Sequence, residues 1–134
     1  MTKKYLNPPE LFDSRQFGFS QGVATQGGTT IRLSGQVAWD EHMRPVGKGD
    51  LEAQTRQSLR NVATALKAAG GSLADVVSLR LYLVDYQPEE GGAVAKVLKE
   101  SFSNESPPAT TWVGVSALAD PHFRIEIEAE AVLD

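Results

Sequence analysis

From Leu51 to Ala69 apolar residues return every three or four positions, with Leu59, Val62, Leu66 and Ala69 on one stripe and Arg56, Arg60 and Lys67 outside it. That spacing predicts a long helix with one buried face, capped by Asp50 and stopped by Gly70-Gly71. Residues 124–132 follow a different rule. Arg-Ile-Glu-Ile-Glu-Ala-Glu-Ala-Val alternates strictly, so a strand here is aliphatic on one face and carries Glu126, Glu128 and Glu130 in a row on the other.

Shorter runs fill in the rest. After an irregular N-terminus containing Pro8-Pro9, positions 17–25 (FGFSQGVAT) and 29–37 (TTIRLSGQV) read as two strands of a hairpin turning at Gln26-Gly27-Gly28. The polar stretch 40–49, with Pro45, Gly47 and Gly49, is a loop, and the β-branched and aliphatic run 76–84 (VVSLRLYLV) is a strand. Pro88-Glu89-Glu90 opens a second helix that continues through Val94, Val97, Leu98 and Phe102, its first turn weakened by glycines at 91 and 92. Pro107-Pro108 ends that connection, and strands follow at 109–116 and 123–132. The order ββαβαββ over residues 1–134, without repeat or linker, describes one α+β domain, a sheet with two helices on one face. A ferredoxin-like split βαβ is the nearest competing architecture.

Parity sorts the strands into two faces. Ile31, Leu33, Leu79, Leu81, Leu83, Ile125, Ile127, Ala129 and Ala131 share the face that packs on the helices. The opposite parity gives Arg32, Ser34 and Gln36, then Ser78, Arg80 and Tyr82, then Arg124 and the three glutamates. A solvated antiparallel face would account for this pattern. However, Tyr82, joined by Trp112 if its parity agrees, sits among matched charges, which favours a subunit boundary where Arg32 or Arg80 meets the glutamates in a cyclic oligomer.

Composition narrows the chemistry. The chain has no cysteine, so disulfides and thiolate metal sites are excluded, and a reducing compartment is compatible. No apolar run approaches the ~18 residues of a membrane span, so a cytoplasmic protein is expected. Seventeen acidic against thirteen basic residues, a net charge of -4, give no footprint for nucleic acid. No glycine-rich phosphate loop opens a helix after a strand. Ser34, in Leu33-Ser34-Gly35-Gln36, lacks the flanking glycines of a nucleophile elbow. His42, beside Asp40 and Glu41, could offer ligands to a metal but reads first as a solvated turn, and no metal or cofactor is expected. A desolvated Glu126 or Glu128 could serve as a general acid or base, and spacing alone does not choose between them.

Taken together, SQGV at 20–23, LSGQV at 33–37, QTRQSLRNV at 54–62, LYLVD at 81–85 and IEIEAEAV at 125–132 resemble the Rid superfamily, also called the YjgF family. The resemblance implies a chorismate-mutase-like fold assembled as a homotrimer, with a central barrel of sheets, helices outside, and a small-molecule cleft between each pair of subunits. The best-known branch hydrolyses imines and enamines, such as 2-imino acids, to keto acid and ammonia, while other relatives have been called endoribonucleases or translation inhibitors.

The resemblance also marks a departure. Where the deaminase branch has Pro-Ala-Arg, whose guanidinium grips the substrate carboxylate, this chain has Pro108-Ala109-Thr110. Trp112 stands where a cysteine is frequent, Phe19 stands for a tyrosine, and the cleft asparagine falls near Ala95. Ser34 and Glu126 are retained, the glutamate as the group that holds or activates water. Losing a hydrogen bond to a charged group costs ~1.5–3 kcal/mol, so the Thr110 replacement should weaken a carboxylate ligand by roughly 10- to 150-fold. The expectation is therefore a cleft shaped by Phe19, Ser34, Thr110 and Trp112, with Glu126 catalytic and an altered substrate preference. The alternative is a trimer that binds a metabolite without turning it over. RNA cleavage is the least expected activity.

Overall fold

In the computed structural model, which describes residues 1–134, the alternating segment Ile125–Leu133 (β7) becomes the centre of the main sheet. Strands Thr29–Arg32 (β3) and Gln36–Val37 (β4) pair with one side of it, and Val76–Val84 (β5) pairs with the other, all antiparallel. Ala109–Val115 (β6) then runs parallel to β5 at the sheet edge, completing the order β3-β7-β5-β6. A parallel neighbour needs a crossover, which the helix Gly91–Ser101 (α2) supplies.

Both helices cover the same face, as the hydrophobic pattern requires. Leu59, Val62 and Leu66 of the helix Leu51–Lys67 (α1) and Val94, Val97 and Leu98 of α2 join Leu79, Leu81, Leu83, Ile125 and Ile127 in one core. Leu81 and Ile127 are cross-strand partners and fully buried, so truncating either to Ala should cost about 2–5 kcal/mol. The expected α+β architecture with two helices on one face is the observed one. Asp50 caps α1 by accepting from the Ala53 N–H at 3.0 Å. The helix stops where Gly70 takes φ +81° and the Gly71 N–H reaches back to the Leu66 carbonyl at 3.0 Å. Pro88–Glu90 forms a single 3-10 turn before α2 begins.

The N-terminal third departs from expectation. The supposedly irregular start contains a strand, Thr2–Leu6 (β1), which pairs along its length with Gly22–Gln26 (β2). Gly27 and Gly28 do make the turn, at φ +75° and +77°. The expected hairpin ladder is absent, because β2 pairs with β1 and β3 pairs with β7. Turn residues specify a reversal, but the partner of each strand is decided by which edge is free in three dimensions. Nor does the first strand begin at 17. Ser14–Phe17 is a 3-10 turn, and Gly18, at φ +89°, reverses the chain beside α2.

A third difference lies between β3 and β4. Arg32 pairs with Glu130 but Gln36 pairs with Ile127, four steps along one strand against three along the other. The extra residue is a bulge at Leu33–Gly35, and it inverts the parity beyond it. Gln36, expected on the charged face, therefore turns towards α1, where it borders Asn61 and Thr64.

Candidate functional site

The edge strand β6 carries Thr110 opposite Leu79 and Trp112 opposite Leu81. Both pairings place these side chains on the helix side of the sheet, so Trp112 does not join Tyr82 among the charges. It packs against the apolar core instead, edge-on to Tyr86 with ring centroids 6.2 Å apart. The parity of a strand entered after a proline pair could not be phased from sequence alone.

Facing Thr110 and Trp112 is a loop built to present aromatics. Ser14, fully buried, donates from Oγ to the Phe19 carbonyl at 2.7 Å, and the Ser20 N–H bonds to the Pro108 carbonyl at 3.0 Å, docking the loop on the start of β6. Phe12 lies 6.3 Å from Phe17 and 6.2 Å from Phe19, centroid to centroid, and Phe12 and Phe17 are 60% and 46% exposed. Exposed phenylalanines clustered in this way usually await a ligand or partner. With Tyr86, Pro88, Gly91, Gly92 and Ala95 they enclose a pocket of about 570 Å³, within the range of small-molecule sites. Its lining carries no charged side chain. The Thr110 hydroxyl is occupied by the Pro108 carbonyl at 3.2 Å. Phe12, Phe17 and Tyr86 escape detection from sequence because they follow no period; the weak helix start at Gly91-Gly92 was the only signal, and it marks space made for the pocket. A Cβ on Gly91 would lie 2.5 Å from the Tyr86 hydroxyl, so glycine is what lets that ring approach.

The other predicted residues lie on the opposite face. Glu128 accepts from the Tyr82 hydroxyl, which raises the Tyr82 pKa above its ordinary value, and Arg80 stands across from Glu128. Arg32 holds Glu130 at 3.3 Å within one protomer, where a partner across a subunit boundary had been expected. Glu126 has neither an ion pair nor a hydrogen bond. Its carboxylate rests on the bulge, where a Cβ on Gly35 would come within 2.0 Å of Oε2, with exposed Ser34 next in sequence. The structure thus brings Phe19, Thr110, Trp112 and Ala95 together and sets Ser34 and Glu126 apart from them. Glu126 and Thr110 are two strands apart, ~10 Å across the sheet, and project from opposite sides of it. No small ligand can touch both within one protomer.

One network links the two regions. Arg124, at the head of β7, donates from two guanidinium nitrogens to Glu90 at 2.7 and 3.0 Å and also to the carbonyls of Val84 and Asp85. These bonds hold the Glu90 carboxyl far below the usual carboxylate range, at about 2. Glu90 in turn accepts from the Gln87 N–H at 3.0 Å, which fixes the turn leading into α2 and the pocket wall. The histidines belong to turns: Asp40 accepts from the His42 and Arg44 N–H groups, and Asp120 accepts from the His122 N–H. No helix is long and apolar enough to cross a membrane.

A family model described as Endoribonuclease L-PSP matches residues 14–133. A solved Yersinia pestis protein, described as a protein of unknown function of the conserved Rid family, superposes with a TM-score of 0.93 at 41% identity, covering 99% of this chain and 100% of that one. A RutC family protein of Pyrococcus horikoshii is 39% identical over 84% of this chain and 85% of its own length. A 2-iminobutanoate/2-iminopropanoate deaminase of Dermatophagoides farinae is 31% identical over 87% and 86% of the two chains.

Proposed function

This chain belongs to the endoribonuclease L-PSP family, the Rid group of proteins, and we propose that it assembles as a homotrimer that hydrolyses imine or enamine metabolites in a cleft between subunits. The observation that carries this reading is the division of the site. An apolar pocket and an unpaired glutamate on opposite faces of one sheet can act on the same ligand only if two protomers contribute, one giving Phe19, Thr110 and Trp112 and its neighbour giving Glu126 and Ser34. In such a cleft the substrate's body lies in the aromatic pocket. The Glu126 carboxylate takes a proton from water as its oxygen adds to the C=N carbon, and passes that proton to nitrogen. The hydroxyl proton of the tetrahedral adduct then passes through the same carboxylate to the amino nitrogen as the C–N bond breaks, releasing ammonia and leaving the carbonyl.

Substrate preference follows from Thr110. With an uncharged pocket, nothing near the reacting carbon would neutralise a carboxylate, so the small 2-imino acids named for the mite relative are poor candidates here. Bulkier apolar imines fit better. The same absence of charge also supports a second reading, a trimer that binds such a metabolite without turnover. Ribonuclease activity is the least supported, given the net charge of -4 and a pocket with aromatic rings but no cationic lining.

The test is hydrolysis of imines generated in situ by an amino-acid oxidase from aromatic and from short aliphatic amino acids. Wild-type protein should accelerate ammonia release from the aromatic series and Glu126→Gln should not. Equal rates for the two proteins would remove Glu126 from the mechanism, and an inert wild type that still binds the keto product would favour the second reading.

A further inference from the structure

The pocket does not end at its aromatic wall. Phe17, Gly92 and Ala95 also line an adjoining hollow of about 450 Å³ whose remaining wall is Gln16, Lys96, Lys99 and Glu100. A single groove therefore runs along one side of α2, apolar at the β6 end and cationic at the other. Two of its three charged side chains are already engaged, Lys96 with Glu52 at 3.5 Å and Glu100 with Arg56 at 2.8 Å. Lys99 has no carboxylate partner. Its stem lies against the Phe17–Phe19 loop, since a Cβ at Gly18 would meet Lys99 Cγ at 3.2 Å, and it lines the second hollow about two helical turns beyond Gly92. Gly92 sits where the two hollows meet, and a Cβ there would have no atom within 4 Å. A helix position that could accept a side chain yet has none leaves the passage open.

We propose that this groove takes an elongated ligand with an aromatic or long aliphatic body in the pocket and an anionic group at the far end, against Lys99. The inference rests on the pocket being the ligand site proposed above and specifies the ligand's class. Charge complementarity carries it: the position that touches the reacting end, Thr110, is neutral, and the unpaired cation lies at the other end. In a 2-imino acid the acid group is bonded to the reacting carbon. Here the acid group and that carbon lie at opposite ends of the molecule.

Two fluorescent probes that share a phenylaminonaphthalene body test this without catalysis. 8-Anilinonaphthalene-1-sulfonate is anionic, and N-phenyl-1-naphthylamine is neutral. Wild-type protein should bind both, the anionic probe more tightly at low salt, with the difference shrinking as salt screens it. Lys99→Gln should weaken the anionic probe by about two- to fivefold, the range of an exposed ion pair, and leave the neutral one unchanged. Gly92→Leu should weaken both more than tenfold without lowering the melting temperature, because the site has room and glycine is a poor helix former. Equal binding of the two probes, or an anionic probe indifferent to Lys99→Gln, would overturn the cationic end. Unchanged binding by Gly92→Leu would overturn the groove itself. If this probe pattern is found in a protein that hydrolyses no imine, the enzymatic reading fails and the groove stands; hydrolysis without the pattern leaves the reverse.

Discussion

On the face of the sheet turned away from the helices, side chains are polar or charged and partly matched: Arg32 pairs with Glu130 and Tyr82 with Glu128, while Glu126 and Arg80 have no ion pair. At the β6 edge, under α2, the wall is aromatic and uncharged, and it is left open. The first region keeps a carboxylate, Glu126, without a partner, and the second is unsatisfied in its apolar surface. Each region thus lacks what the other has, as the proposed sharing of a site between copies requires.

The largest expected effect attacks that sharing directly. Glu126→Gln should reduce imine hydrolysis about 10²- to 10⁴-fold, the usual contribution of a general acid or base, with probe binding intact. Gly92→Leu should lose binding with Glu126 intact. Unfolded together and refolded, the two inactive variants should regain activity, since some clefts then combine a wild-type pocket with a wild-type glutamate. Failure of the mixture to recover, with each variant folded, would place both halves in one protomer and break the comparison.

Next in size is Gly35→Ala. The added Cβ would overlap the Glu126 carboxylate and also its Cγ and Cδ, at 2.8 and 2.7 Å, so the carboxylate must move. A displacement of about 1 Å can cost ~10²-fold in rate, and the melting temperature should change far less than kcat does. Thr110→Arg should act on the other region, strengthening binding of 2-imino acids by roughly 10- to 150-fold as measured by KM or by inhibition with the keto acid. An unchanged preference would mean that the strand position does not set specificity.

The smallest effect concerns the clamp joining the regions. Removing the charged acceptor with Glu90→Gln should lower stability at neutral pH by about 1–3 kcal/mol in chemical denaturation. Because the folded-state pKa lies near 2, below the ~4.3 of an unfolded glutamate, this contribution is complete above ~4.3 and is lost as pH falls through about 2. Wild type and variant should therefore converge in acid. A gap that persists below pH 2 would show that the carboxylate's charge is not what stabilises the clamp.

Periodicity disclosed the helices and the central strands because their faces are buried against one another, and burial is what writes a period into a sequence. It disclosed α1 to within two residues and the glutamate row correctly. It failed where pairing depended on a distant edge, as at β1, and where one inserted residue inverted the parity, as at Gln36. The proposed site left some marks in the sequence. Glu126 stood out by alternation and resemblance, and Thr110 by departure from a motif. The division of the site between two faces was not legible, because Trp112 shows its face only once its register with Leu81 is known. The phenylalanines at 12 and 17 are placed by a loop whose shape rests on a buried serine and a left-handed glycine, neither of which leaves a pattern.

The position of β7 carries one more consequence. This strand follows all the others in the chain, yet it lies in the middle of the sheet and is the only strand that joins β3 and β4 to β5. During synthesis on the ribosome, β5, α2 and β6 can emerge and associate, but the main sheet cannot close until the segment ending at Leu133 has left the exit tunnel. Until then the edges of β3 and β5 that β7 will cover are open to foreign strands. Closure of the main sheet thus waits on this one segment, and its three acidic side chains would help keep it from sticking to other chains before it inserts.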